Sequence, residues 1–204
     1  IDSPELDVGA DVARSVDSRE RVQVRALPNE NGTGTRVEND VRPHGSVLTG
    51  IDVLEAQDFA PLKGKRVGLL TNQTGLDASG RRTIDVLAHA SGVQLTTIFS
   101  PEHGVTGALD TTKIGNSRDA ATGIPVYSVY GPTDAARRPT QETLRNLDAI
   151  VIDIQDAGVR FYTYETTLGY FLEAAAKAGI AIFVLDRPNP LMGAVVQGPM
   201  SEPG

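Results

Sequence analysis

Cysteine is absent from the 204 residues, which excludes disulfides, thiolate metal sites and a cysteine nucleophile. It leaves the compartment open, because exported bacterial proteins also often lack cysteine. Basic clusters are scarce as well: only Arg81-Arg82 and Arg137-Arg138 stand together, and the formal net charge is −7. An acidic surface of that kind argues against a nucleic-acid partner. No apolar run approaches the roughly 20 residues needed to cross a bilayer, so no membrane span is expected. Nor does a positively charged start lead into an apolar stretch after Ile1; the expectation is an export signal that has been removed or was never present. Two phosphate cradles are missing too, since the first predicted strand is followed neither by Gly-x-Gly-x-x-Gly nor by the Gly-Lys-Ser/Thr of a P-loop. There is no Gly-x-Ser-x-Gly elbow. The three histidines, His44, His89 and His103, are too far apart in the predicted elements to converge on zinc. Neither a metal nor a cofactor is therefore expected.

What is present begins with a contrast of texture. Residues 1–46 mix Asp, Glu, Arg, Asn and Gly without a sustained apolar period and read as a flexible leader. Residues 47–204 read as one domain, a length that can bury a full core. Within it, short apolar runs alternate with helical stretches. Strands are predicted over Val67–Asn72, Val93–Phe99, Ile124–Tyr130, Ala149–Ile154 and Ile180–Leu185, and helices over Thr83–Ala90, Gln141–Asn146 and Glu165–Ala178, the last stopped by Gly179. Such alternation predicts an α/β fold, a parallel sheet with helices on both faces.

In open sheets of this class ligands bind beyond the carboxyl ends of the strands, and here those ends are polar: Thr71-Asn72-Gln73, Ser100-Pro101-Glu102-His103-Gly104, Asp153-Ile154-Gln155-Asp156 and Asp186-Arg187-Pro188-Asn189-Pro190. Glu102 and His103, confined between Pro101 and Gly104, are the leading catalytic candidates. A carboxyl group there can serve as a general acid if burial raises its pKa. Asp153 is the candidate second carboxylate, with Asn72 and Gln155 beside it on the same rim. Asp156 and Arg160 can be read as a pair that holds the turn. Tyr162 and Tyr164 offer rings to a sugar face, and Thr163 offers a helix cap. The two prolines around Arg187 and Asn189 fix an extended path that points both side chains toward an anionic or amide-bearing ligand.

Four segments, Leu69–Gly75, Phe99–Gly104, Asp153–Asp156 with Arg160–Tyr164, and Leu185–Pro190, together resemble the exo-β-N-acetylmuramidase (NamZ-type) family, in the same order and over about residues 47 to 200. The resemblance implies a Rossmann-like catalytic domain and a glycosidase that removes terminal N-acetylmuramic acid from the non-reducing ends of peptidoglycan fragments, its partners being muropeptides or disaccharides. It places the catalytic acid on Glu102 with His103 beside it, and the sugar site around Asp153, Arg160 and Tyr162. Arg187 or Arg160 would meet the lactyl carboxylate. Asp153 would act as a second catalytic carboxylate or orient the substrate's acetamido group. Members of the family continue past the point where this chain stops, so a C-terminal auxiliary domain is expected to be missing here. A periplasmic or secreted location follows from the substrate, with a cytoplasmic recycling role as the alternative. A non-catalytic cell-wall sugar-binding module and a nucleotide- or phosphate-binding domain are the competing readings, since fold does not dictate function.

Overall fold

A computed structural model describes residues 24–27, 47–111, 114–193 and 195–200. In chain order the elements are β1 (Val24–Leu27), α1 (Gly50–Ala56), β2 (Arg66–Thr71), α2 (Thr83–His89), β3 (Gln94–Ser100), β4 (Ser117–Arg118), β5 (Pro125–Ser128), α3 (Gln141–Leu144), β6 (Ala149–Asp153), α4 (Thr163–Ala178) and β7 (Ala181–Leu185). They build one seven-stranded sheet in the order β1-β7-β6-β2-β3-β5-β4. Every pairing is parallel except that of the two-residue β4, which runs antiparallel to β5. The expected α/β sheet is therefore present, with one short antiparallel edge.

The central strands are apolar along their whole length because both faces are covered. All five residues of β6 are buried, as are the last five of β2. On one face Ile51 and Leu54 of α1 and Ile84 and Leu87 of α2 pack on Val67, Leu69, Val151 and Phe183. On the other, Leu144 of α3 and Phe171 and Ala175 of α4 pack on Leu70, Ile150, Ile152 and Ile182. Phe99 and Phe171 meet edge to face at 5.0 Å. Full burial of one such Leu, Ile or Phe side chain stabilises by roughly 1.5–3 kcal/mol, so the two layers fix the sheet from both sides.

Two details depart from the sequence reading. Four residues of the presumed leader, Val24–Leu27, form a strand that continues the sheet beyond β7 in register Val24↔Ile182 to Leu27↔Leu185; the rest of residues 1–46 lies outside the described residues. Flanked by charged and polar sequence, a four-residue strand leaves too weak a periodic signal to be read from the chain alone. The long helix also starts at Thr163, two residues earlier than expected, and ends as anticipated at Gly179 with φ 67°.

α1 abuts the end of β7 without a side chain between them. The Gly50 amide donates to the Asp186 carbonyl at 2.7 Å, and a Cβ on Gly50 would lie 2.5 Å from backbone atoms of Leu185 and Asp186. Backbone cannot yield as a flexible side chain does. Gly50→Ala is expected to destabilise the fold by about 1–3 kcal/mol, measured by urea unfolding; a change below about 0.5 kcal/mol would show that α1 can slide away from β7 at no cost.

Candidate active site

The chain switches direction across the sheet at β2, which has β3 on one side and β6 on the other. α2 and α4, which follow β2 and β6, lie on opposite faces, so the carboxyl ends of β2 and β6 open a crevice of the kind that binds ligands in doubly wound sheets. The loop after β3 brings Glu102 to this edge.

That loop is shaped by its own backbone. His103 and Gly104 both hold left-handed conformations, at φ 69° and 78°, a combination that a glycine accepts freely and a histidine accepts at a cost of about 1 kcal/mol. The Gly104 amide bonds the Pro101 carbonyl at 3.1 Å and the Leu109 amide bonds the His103 carbonyl at 3.1 Å. His103 returns the favour through its ring: Nδ1 lies 3.1 Å from the Leu109 carbonyl. A carbonyl only accepts, so Nδ1 carries the proton of this bond.

Glu102 is half-buried, and its carboxylate is held from two sides. Thr163, the first residue of α4, donates its hydroxyl to Oε2 at 2.6 Å, and the Tyr130 hydroxyl, just past β5, donates to the same carboxylate. Burial is the largest single influence on its ionisation and pushes the pKa up. The two hydrogen bonds and the electrostatic attraction of His103 and Arg137 together outweigh it, so the pKa lies below the ordinary glutamate value. Burial alone was expected to raise it; the donors reverse the sign. Tyr130 shifts the other way, chiefly because ionising it would break the bond to Glu102. Glu102, His103, Asp110, Thr111 and Tyr130 line an open cleft of about 380 Å³.

Thr163→Val keeps the shape of the side chain and removes one donor to the charged form. The Glu102 pKa is then expected to rise toward its ordinary value, while Thr163→Ser leaves it in place. Carboxyl-carbon NMR titration reads both; a valine variant titrating with the wild type would mean that Tyr130, His103 and Arg137 suffice.

The other polar rim residues largely face one another. Asp153 has no exposed surface, and both of its oxygens are taken: Oδ1 by Arg187 Nε at 2.6 Å, Oδ2 by Arg187 Nη2 at 2.9 Å and by the Thr83 hydroxyl. Arg187 also donates to the Leu76 carbonyl at 2.9 Å, so it ties β6 to the loop after β2, while Thr83 joins the start of α2 to the same carboxylate. Asn72 gives its amide to the Tyr164 hydroxyl at 2.7 Å and accepts the Thr74 amide and hydroxyl at 3.0 and 2.6 Å. Tyr164 is buried, which with the adjacent Tyr162 hydroxyl keeps it protonated far above the ordinary tyrosine range; the two rings meet edge to face at 4.6 Å. Gln155 spends its amide on the Asp156 and Pro188 carbonyls, both at 2.9 Å. Asp156 turns to the Gly158 amide at 2.6 Å, and Asn189 caps its own loop by accepting the Leu191 amide at 2.8 Å. Arg160, exposed, donates to the Pro199 carbonyl at 2.5 Å.

The structure places Glu102 and His103 side by side in the cleft lining. It withdraws Asp153, Arg187, Asn72 and Tyr164 into the framework beneath it, while Gln155 and the exposed Asn189 spend hydrogen bonds on their own loops. It adds Tyr130, Thr163, Asp110 and Arg137, which the sequence reading did not assign to the site.

Comparison with known proteins decides the kinship. Residues 67–204 match the family described as exo-β-N-acetylmuramidase NamZ, N-terminal. The chain belongs to that family. It is similar to the peptidoglycan β-N-acetylmuramidase NamZ of Bacillus subtilis, with 46% identity over 167 residues, 81% of this chain and 40% of the relative. Among solved structures, two DUF1343 family proteins from Bacteroides fragilis share the fold. One superposes with a TM-score of 0.70 at 46% identity over 78% of this chain and 39% of the other. The second gives 0.59 at 32% identity over 72% and 36%. The chain therefore spans about two-fifths of the length of the relatives it matches, and the cleft around Glu102 lies within the residues that match the family.

Proposed function

We propose that this chain carries the proton donor of a glycoside hydrolase that removes terminal N-acetylmuramic acid from the non-reducing ends of peptidoglycan fragments. One observation carries the reading: a glutamate fixed by two hydroxyl donors at the carboxyl edge of an α/β sheet, in a chain 46% identical to a named peptidoglycan muramidase.

Glycosidic bond cleavage needs a proton on the leaving oxygen and a stabilised oxocarbenium-like centre. Glu102 is the proton donor. In the open cleft its bonds favour the carboxylate; a sugar filling the cleft removes water, strengthens the burial that already pushes the pKa up, and displaces the balance toward the acid. His103, the next residue in the chain, lines the same cleft and is the group that exchanges that proton. The second carboxyl group of the cleft is Asp110, because Asp153 has no access to solvent. We assign Asp153 to positioning: with Arg187 it braces the ends of β6 and β2, on which the crevice depends. Activity of this kind belongs where cell-wall fragments occur, in the periplasm or outside the cell. No helix among the described residues is long and apolar enough to cross a membrane.

The test is direct. Full-length protein incubated with a chromogenic N-acetylmuramide is expected to release the chromophore; an inert full-length protein, properly folded, overturns the reading.

A further inference from the structure

Muramic acid differs from glucosamine by a lactyl ether that ends in a carboxylate. A cleft already lined by Glu102 and Asp110 repels such a group unless a cation compensates. The two arginines expected from sequence to do so are committed elsewhere: Arg187 to Asp153 and the Leu76 carbonyl, Arg160 to the Pro199 carbonyl. Arg82 is bound between Asp85 and Asp119, and Arg81 between Asp77 and Glu55. Arg138 is spent on Asp134 and Glu173 and lies 4.1 Å over the Tyr170 ring.

Arg137 is different. Its Nε donates to the Gly131 carbonyl at 2.8 Å, and its guanidinium carbon stands 5.9 Å from the centre of the Tyr130 ring, the same tyrosine that bonds Glu102. Its neighbour Asp134 feels its charge but gives its hydrogen bonds elsewhere, accepting from Arg138 at 2.8 Å and from the Tyr170 hydroxyl at 2.7 Å. Among the described residues Arg137 is thus a cation beside the cleft whose two terminal nitrogens have no protein acceptor, while Nε and the ring below fix where it stands. It is close enough for its charge to act on Glu102. An anchored guanidinium with both terminal N–H groups available is suited to receive a carboxylate through two parallel bonds.

We infer that Arg137 is the specificity residue of this cleft, binding the lactyl carboxylate of an N-acetylmuramic acid unit and so separating it from the neutral N-acetylglucosamine. The inference rests on the proposed muramidase function and adds to it the residue that selects the sugar. Arg137 touches the substrate at a group remote from the bond that breaks, so its loss acts on recognition before it acts on chemistry.

The experiment uses the full-length protein with Glu102→Gln, which permits binding without turnover, and compares methyl N-acetylmuramide with the same sugar carrying a lactyl methyl ester. Titration calorimetry is expected to show the free acid bound more tightly than the ester. Adding Arg137→Met is expected to weaken the acid by about 10- to 100-fold, the usual effect of losing hydrogen bonds to a charged group, and to change the ester by less than twofold. Arg137→Lys recovers part of the preference. Since Arg137 is exposed, the melting temperature of the variant serves as the control for folding. An unchanged preference for the acid in Arg137→Met, or equal weakening of acid and ester, overturns the assignment even if the wild type hydrolyses the chromogenic muramide. Failure of the wild type to hydrolyse it refutes the underlying function instead, so the two results are read apart.

Discussion

Full-length protein carrying Glu102→Gln is expected to release chromophore from an N-acetylmuramide about 10³-fold more slowly than the wild type, within the range that a positioned general acid contributes. Glutamine keeps the length of the side chain and its place in the half-buried loop, so the fold should be intact. It has no proton to give. It also accepts through only one oxygen, so one of the two hydroxyls, Thr163 or Tyr130, meets an amide donor and loses its acceptor. Because the hydrogen bonds favour the ionised form in the open cleft, the free enzyme holds little of the acid at neutral pH. The turnover number, which reports the complex, should therefore fall at a higher pH than kcat/KM, which reports the free enzyme. Turnover within tenfold of the wild type in Glu102→Gln would remove Glu102 from the chemistry.

Arg187→Ala should be the most damaging substitution outside the cleft. It leaves the Asp153 carboxylate, fully buried, with the Thr83 hydroxyl as its remaining side-chain partner. Breaking a buried pair from one side costs about 3–5 kcal/mol, because the surviving charge stays in a low-dielectric interior. For a domain of this size that is a large fraction of the total stability. Replacing both partners by Arg187→Met with Asp153→Leu should recover much of the loss, since no charge is then stranded. Urea unfolding of the two variants checks both statements; a loss under 1 kcal/mol in Arg187→Ala would mean that water reaches Asp153 and replaces the guanidinium. Activity would fall in the single variant through the fold, with the melting temperature falling beside it.

The five strands β2, β3, β5, β6 and β7, their order of appearance and their polar ends were legible because period and composition are local properties of the chain. Glu102 was legible for the same reason: a carboxylate between Pro101 and Gly104 at a strand end announces a constrained turn. What holds Glu102 was not, since Thr163 is 61 residues away and reaches it only because β3 and β6 flank β2. The sequence placed Thr163 as a helix cap; its hydroxyl goes to Glu102 instead. Asn72, Asp153, Gln155 and Arg187 show the complementary limit. A polar residue at the rim can face a ligand or a neighbour, and buried polar atoms take whatever partners lie nearest. Here Asp153 and Arg187 took each other, Asn72 took Tyr164 and Thr74, and Gln155 took backbone carbonyls. In the sequence Arg137 is one of two adjacent arginines with nothing local to tell them apart, whereas the structure gives the two guanidinium groups opposite fates.

The two consecutive left-handed residues at His103 and Gly104 have a thermodynamic meaning for catalysis. A loop that closes on itself through Pro101, His103 and Leu109 loses its conformational freedom when the chain folds, so little entropy remains to be lost when a sugar arrives. Binding energy from the rest of the substrate is then left for desolvating Glu102, the change that its proton transfer requires.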